Sequence, residues 1–374
     1  MKVLVSLGFF DDSGECRLVG VDLTTGHSEV LLSYLPPPQL RVVSRGFTGA
    51  CLSEDGRAVY AAGHAAVFRV NAQTWTVDGI LHMPSFNDLH HVAAGGGRIY
   101  VSNTGSDEID VFSTDGRFVG SYMLTPSWVL ASKMHGLLPS LSIDVNDVGW
   151  EPGKGAGAQW HSSITGAGRI EEDDGYHTAQ SMRAVTPYWQ GKLPDRLHPN
   201  HTCLLPTQTL VTCFRDGSIR DLGTLRVLYQ RAGSFPHDGV GVDGWFYFTT
   251  IDGKVWALRL VDDVLGDSHR DMSAARDSVE PARCWDIAEQ TGRYGWCRGL
   301  LIRTDSEGIS AAVGLTEVKR DRLPSHRWCD RTPEGSTTGV VWLDLTTGRQ
   351  MGWVDLSDSE RHSKIYSVLP WGGT

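Results

Sequence analysis

The sequence predicts an all-β protein, a six-bladed β-propeller whose N- and C-terminal strands close one blade. Three observations carry this reading. A pattern of short apolar strands recurs along the chain, turn-forming Asp-Gly and Gly-Gly pairs punctuate it, and the pentapeptide Asp-Leu-Thr-Thr-Gly stands near both ends.

Taken in order, "MKVLVSLGFF" reads as a strand, because Gly8 interrupts its apolar run and Asp11 and Asp12 close it. "VGVDLTTGHSEVLL" (19 to 32) follows as a hairpin between outer strands. Clear repeat units are "FTGACLSEDGRAVYAAGHAAVFRVN" from 47, "LHHVAAGGGRIYVSNTGSDEIDVFSTDG" from 89 and "PHDGVGVDGWFYFTTIDGKVWALRLVD" from 236, with more degenerate units from 198 and 296. Their "EDGR", "GGGR", "VDGW" and "IDGK" turns supply the positive φ that tight hairpins need. Near the C-terminus, "VWLDLTTGRQMGWVDL" (341 to 356) repeats the outer hairpin, and "KIYSVLPW" (364 to 371) is left as an innermost strand. Pairing it with the N-terminal strands closes the ring and removes its free edge. The count is six blades: residues 1 to 35 plus 364 to 371, then units beginning near 47, 89, 198, 236 and 296. A seventh requires that the insertion at 125 to 197 hide one.

That insertion is rich in Gly, Trp and acidic residues and lacks a repeat. Long irregular segments inside a single compact domain, here 1 to 374, are usually functional, so a lid over the channel mouth is expected, with a surface excursion as the plainer alternative.

Composition narrows the function. With 40% hydrophobic residues, 13 Trp and 43 Gly, the chain buries a large core and makes many turns. A net charge of -10 without any run of Lys or Arg argues against nucleic acid and anionic membranes as partners, which leaves small molecules or proteins. No apolar segment is long enough to span a bilayer. Seven cysteines (Cys16, Cys51, Cys203, Cys213, Cys284, Cys297 and Cys329) are scattered, with no C-x-x-C pair, as expected of reduced thiols in a cytoplasmic protein. No G-x-S-x-G, GxxxxGK[ST], H-E-x-x-H or G-x-G-x-x-G signature occurs. Cys297 beside Arg298 is a conceivable nucleophile, although a small buried residue is the simpler reading.

Candidate chemistry sits at the blade entrances. Inner strands line the channel, and aligning the units places His90 or His91, His198 or His201, His237 and Arg298 at corresponding positions around one mouth. Three imidazoles suit a divalent transition metal (Zn, Fe, Cu, Ni or Mn) and leave coordination positions open. The competing reading is a metal-free pocket in which a histidine acts as general base and Arg298 clamps an anionic substrate. Asp88 and Asp238 are placed to orient histidines, Asp195 and Arg196 lead into "LHPNH", and Asn200 offers a substrate hydrogen bond.

The segments "DLHHVAAGGGRIYVSNT", "DRLHPNHTCL", "FPHDGVGVDGWFYFTTIDGKVW", "WCRGLLIRTDSEG" and the late "KIYSVLPW" resemble, in the same order, an uncharacterised bacterial propeller family with D-x-H-D, D-R-x-H-x-N-G, P-H-S-P, R-G-L and E-I-Y-D-V motifs. The resemblance selects His90 over His91 and His198 over His201, together with Asn200, His237 and Arg298. In this chain His91 replaces Asp, His201 replaces Gly, Asp238 replaces Ser, and Lys364 and Ser367 replace Glu and Asp. The family carries no assigned reaction. A looser similarity links the chain to lactonase-type and strictosidine-synthase-like propellers, some of which bind a divalent metal, and to the iron-holding carotenoid oxygenases; these are analogies of fold.

The expectation is an enzyme for a small, polar, anionic metabolite. His90, His198 and His237 hold the metal, with His91 and His201 as further candidates, and Arg298, Asn200 and Asp238 serve the substrate. Hydrolysis, lactone chemistry, elimination or oxidation all fit. The alternative is a non-catalytic scaffold that binds a protein partner.

Overall fold

Gly-containing turns fold the apolar runs back on themselves, and the resulting antiparallel sheets stand in a ring of six blades. The computed structural model describes residues 1–37, 40–42, 44–83, 85–125, 149–152, 195–260, 283–306, 308–319 and 335–372. Blade one begins with β1 (Lys2–Phe9), β2 (Cys16–Asp22) and β3 (His27–Tyr34). Blade two is β4 (Gly49–Leu52), β5 (Ala58–Ala62), β6 (Val67–Asn71) and β7 (Thr76–Leu81). Blade three is β8 (Leu89–Gly95), β9 (Arg98–Asn103), β10 (Glu108–Ser113) and β11 (Phe118–Met123), with a fifth strand, β12 (Gly149–Pro152), at its outer edge. Blade four is β13 (Pro199–Leu204), β14 (Thr209–Cys213), β15 (Ser218–Asp221) and β16 (Val227–Gln230). Blade five is β17 (Pro236–Val242), β18 (Trp245–Thr250), β19 (Lys254–Arg259) and β20 (Arg283–Asp286), and leads into a short helix, α1 (Ile287–Thr291). Blade six is β21 (Trp296–Asp305), β22 (Gly308–Thr316), β23 (Gly339–Asp344) and β24 (Gln350–Asp355). The last strand, β25 (Ser363–Pro370), returns to blade one and pairs antiparallel with β1, from Val3 opposite Pro370 to Phe9 opposite Ser363.

The two Asp-Leu-Thr-Thr-Gly turns are structural copies. Asp22 Oδ1 accepts from the N–H groups of Thr24 and Thr25, and Asp344 Oδ1 does the same for Thr346 and Thr347. Gly26 and Gly348 then take φ of 78° and 75°, which only glycine adopts without strain.

Both faces of each sheet are covered, so strands near the axis are buried along most of their length; β1 is buried from Val3 to Phe9. The apolar core is divided among six clusters, each straddling one interface between neighbouring blades. The inner strands follow one another around the axis as β25, β4, β8, β13, β17 and β21, back to β25. Blades three and four touch directly: Thr104 Oγ1 donates to the Pro199 carbonyl at 2.6 Å, and the Ser102 and Thr202 hydroxyls lie 3.1 Å apart. The insertion therefore hides no seventh blade. Residues 126–148 and 153–194 of the insertion, on which the expected lid falls, lie outside the described residues, as does Cys329. Among the described residues no helix is long and apolar enough to cross a membrane.

Arg361, just ahead of β25, latches the closure. Its Nε donates to Asp11 Oδ2 at 2.6 Å, its Nη1 to Glu15 Oε2 at 2.7 Å, and its guanidinium lies 3.7 Å from the Phe9 ring centroid. Arg361→Ala is expected to lower stability by about 1 to 2 kcal/mol, since partly exposed ion pairs and a cation–π contact each contribute modestly, as read by denaturant unfolding.

Asp110, buried in β10, has its carboxyl pushed up to about 6 by burial, against hydrogen bonds from Ser121 and Asn103. The folded chain thus takes up a proton that the unfolded chain binds only below about 4. This group favours the folded state as pH falls from about 6 towards 4, and the benefit is lost as pH rises through 6. The stability of the wild type relative to Asp110→Asn should rise over that descent; a constant difference in unfolding midpoints across the range would contradict the assignment.

Candidate functional site

A regular strand alternates its side chains between two covered faces, so polar groups reach the axis only where that alternation is broken. In five of the six inner strands one extra residue interrupts the pairing: at His90 in β8, Asn200 in β13, His237–Asp238 in β17, Arg298–Gly299 in β21 and Tyr366 in β25. Such bulges re-aim side chains and gather at channel rims and reactive sites. Two residues ahead of the bulge, Asp88, His198 and Phe235 sit in the left-handed region, at φ of 52°, 58° and 50°. His198 is therefore the counterpart of Asp88, and Asn200 is the counterpart of His90, two residues away from the alignment that equates the two histidines.

The consequence is a tight cluster. Asp88, His90 and His198 are buried, and one nitrogen or oxygen from each lies within 4.8 Å of the others. The His90 and His198 rings meet edge-on with centroids 4.6 Å apart, and the His237 ring lies 6.5 Å from that of His90. His198 is held on two sides. Asp107 accepts the backbone N–H groups of Arg196, Leu197 and His198 at 2.6, 3.0 and 2.9 Å, which fixes the strand entrance. Asp195 accepts from His198 Nδ1 and, through its other oxygen, from Arg215 Nε at 2.7 Å. Coordination or proton transfer by His198 then falls to Nε2, the arrangement by which carboxylates orient histidine ligands and bases.

Asp238 plays the same part for His237, whose Nδ1 lies 3.1 Å from its Oδ2. That oxygen also accepts from the Thr249 hydroxyl at 3.1 Å and from Gly299 N–H at 2.7 Å, tying blade five to blade six. Burial opposes the charge on Asp238, yet the His237 imidazole beside it, with His201 and the Gly299 N–H, holds its carboxyl below the ordinary value. Burial lowers His237 below the usual imidazole range, and the Arg298 charge pushes the same way. His91 and His201 form a separate pair, stacked with centroids 3.7 Å apart on the seam between β8 and β13. His91 Nδ1 accepts from Thr202 N–H at 3.3 Å, and His201 Nδ1 lies 3.7 Å from Asp238. Burial pushes His201 down to about 4 and His91 well below its ordinary value, so both are neutral rings at neutral pH.

Asn200 is 2% exposed; its amide donates to the Pro236 carbonyl at 3.4 Å, and its Oδ1 has no hydrogen-bond partner among the described residues. A buried acceptor left open is where a donor or a cation belongs. Arg298 lies 5.1 Å from the ring centroids of both Trp296 and Tyr366. Cys297 is wholly buried between blades five and six, where desolvation raises its thiol well above the ordinary value, as for a packing residue.

Two residues at the mouth were not among those expected. Arg45, at the entrance of blade two, pairs with Asp88 at 2.6 Å, and Tyr366, on β25, lies under the Arg298 guanidinium. The signal for Tyr366 is its place in "KIYSVLPW", already assigned to an inner strand. Arg45 stands ahead of the unit from 47 as Asp88 stands ahead of the unit from 89.

No protein-family model and no curated protein matches the sequence. Solved structures resemble the fold. A protein named "putative 6-phosphogluconolactonase" from Bacteroides fragilis aligns over 96% of this chain and 83% of its own at 13% identity, with a TM-score of 0.47. The WD40 β-propeller domain of Doa1 aligns over 98% and 89% at 10% identity and TM-score 0.45. A functionally unknown protein from Desulfotomaculum acetoxidans aligns over 97% and 89% at 10% identity and TM-score 0.44.

The bulge in β21 depends on Gly299, which has φ of 82° and where an added Cβ would lie 2.8 Å from Val368 N and Cγ2. Gly299→Ala should cost about 2 to 4 kcal/mol from strain plus overlap. Gly244→Ala, at φ of 76° with nothing within 4 Å of the new Cβ, should cost only about 1 kcal/mol. Equal losses in chemical unfolding would show that the close approach to Val368 is immaterial.

Proposed function

We propose that this protein is a small-molecule enzyme whose centre is the histidine cluster at the channel mouth. A divalent transition metal (Zn, Fe, Cu, Ni or Mn) is held by His90 and His198 with Asp88 and His237. The observation that carries this reading is the buried grouping of Asp88, His90 and His198 within 4.8 Å, with His198 already oriented by Asp195. A redox-inert ion supplies Lewis acidity for hydrolysis, lactone opening or elimination, and iron or copper supplies oxidative chemistry. Within that frame Arg298 fixes the substrate, Asn200 Oδ1 accepts from it, and Asp238 holds His237 in one tautomer.

The Asp195–His198 pair favours one further reading, a metal-free acid–base centre in which His198 is the base. A protein-binding scaffold would need a broad apolar patch; the large apolar side chains exposed among the described residues are Val30, Leu35 and Met351.

Elemental analysis of purified untagged protein separates these readings. Near-stoichiometric metal is expected in the wild type, falling about tenfold or more in His90→Ala and in His198→Ala at matched circular dichroism, because each loses a ligand. A wild type that retains no ion after incubation with each of the five metals would remove the metal and leave the acid–base centre.

A further inference from the structure

We propose that Arg45, Tyr366 and Arg298 together form a binding site for a carboxylate or phosphate group, so that the substrate of the channel centre is an anion held at this trio. The proposal rests on the small-molecule enzyme reading above and adds to it the substrate class and two residues, Arg45 and Tyr366, that select it.

The geometry is that of a pincer. Tyr366 stands on β25, the inner strand of blade one, with the entrance of blade two, which carries Arg45, on one side and blade six on the other, where the Arg298 guanidinium lies 5.1 Å from the Tyr366 ring centroid. The phenol carries one O–H donor, and each guanidinium carries N–H donors and no acceptor. Donors therefore outnumber acceptors among these three side chains, and Asp88 meets only the Arg45 side. Arg298 Nε is buried and has no hydrogen-bond partner among the described residues. A buried guanidinium N–H left unbonded costs stability unless a ligand accepts from it, and fork-shaped guanidinium groups match the paired oxygens of carboxylate and phosphate.

Charge points the same way. Asp88 neutralises Arg45 at 2.6 Å, whereas Arg298 has no ion-pair partner among the described residues and lies over aromatic rings instead. The trio also adjoins the reaction centre, because Asp88 links Arg45 to the His90 and His198 cluster. A purely structural reading, in which Arg298 only fills space between Trp296 and Tyr366, leaves its unbonded Nε unexplained.

The test is titration of the full-length protein with inorganic phosphate and, separately, with acetate, by calorimetry and by tryptophan fluorescence, since Trp296 borders Arg298. It is run on metal-free and on zinc-loaded protein. Saturable one-to-one binding of at least one anion is expected, weakened about tenfold or more by Arg298→Gln and by Arg45→Gln and about threefold by Tyr366→Phe. Arg298→Lys, which keeps the charge without the fork, should fall between wild type and Arg298→Gln. Tighter phosphate than acetate assigns a phosphoryl group, and the reverse assigns a carboxylate. Failure to retain zinc would count against the metal and leave the metal-free arm of the titration standing. Absence of saturable binding in both metal states, or equal binding by wild type and a folded Arg298→Gln, would overturn the pincer even if the metal is present. Tyr366→Phe, which removes one oxygen, keeps the question answerable should either arginine variant fail to fold.

Discussion

The pairing of β1 with β25 is the constraint on which the rest of the ring depends. A propeller blade is covered on both faces only if each neighbour is in place, and this strand pairing is where the two ends of the chain meet within one blade. Here the seal joins residues at opposite ends of the sequence, Val3 opposite Pro370 and Phe9 opposite Ser363. β25 also holds its neighbours: Ser367 Oγ accepts Ala50 N–H at 2.9 Å on the blade-two side, and Thr316 Oγ1 accepts Ile365 N–H at 2.9 Å on the blade-six side. Unzipping it would expose the inner edge of β1 and uncover two of the apolar clusters at once. The same strand supplies Tyr366, so closure of the ring and completion of the channel mouth are one event.

A second constraint follows from covering both faces. Such sheets have no natural place for polar side chains except the strand entrances, where the chain crosses the axis. The bulges create that place, and the left-handed residues ahead of them turn the chain into it, at a cost of order 1 to 3 kcal/mol for each non-glycine residue so held. Burying ionisable groups there adds a desolvation penalty, which the fold offsets with paired partners: Asp88 with Arg45, Asp195 with Arg215, Asp238 with His237 and Gly299 N–H. Strain and buried charge concentrated in one small volume, inside an otherwise apolar protein, is the pattern of a site built for chemistry.

The blades were legible because turn chemistry is local. "EDGR", "GGGR" and the two Asp-Leu-Thr-Thr-Gly copies mark hairpins without reference to anything distant, and the starts near 89, 236 and 296 coincide with β8, β17 and β21. His90, His237 and Arg298 stood out for the same reason, each opening a visible unit. The bulges were not legible, since an extra residue changes no hydrophobic pattern and shows only as a shift in partners across the ladder. Hence His198 seemed equivalent to His90 when Asn200 is the equivalent residue. Arg45 was hidden because its position is set by a loop that carries no turn signal, and Tyr366 because an aromatic residue in an inner strand reads as core. The role of Asp107 was invisible as well: it caps an entrance 91 residues away in sequence.

Laid around the axis, the inner strands divide the mouth into two arcs. Blades three, four and five contribute Asp88, His90, His198, Asn200 and His237, groups that ligate cations or move protons. Blades six, one and two contribute Arg298, Tyr366 and Arg45, groups that donate to anions. The arcs meet at the junction of blades two and three, where Arg45 and His64, both of blade two, lie 2.6 and 3.8 Å from Asp88. A protein needing only a stable core would gain nothing from this partition, since mixing the charges would balance them more completely and with less desolvation. Separation is what the proposed anionic substrate requires, with its negative group on the arginine arc and the rest of it against the imidazoles. The fold, by delivering one inner strand from each blade to a common ring, brings residues as distant in sequence as Arg45 and Tyr366 to one mouth.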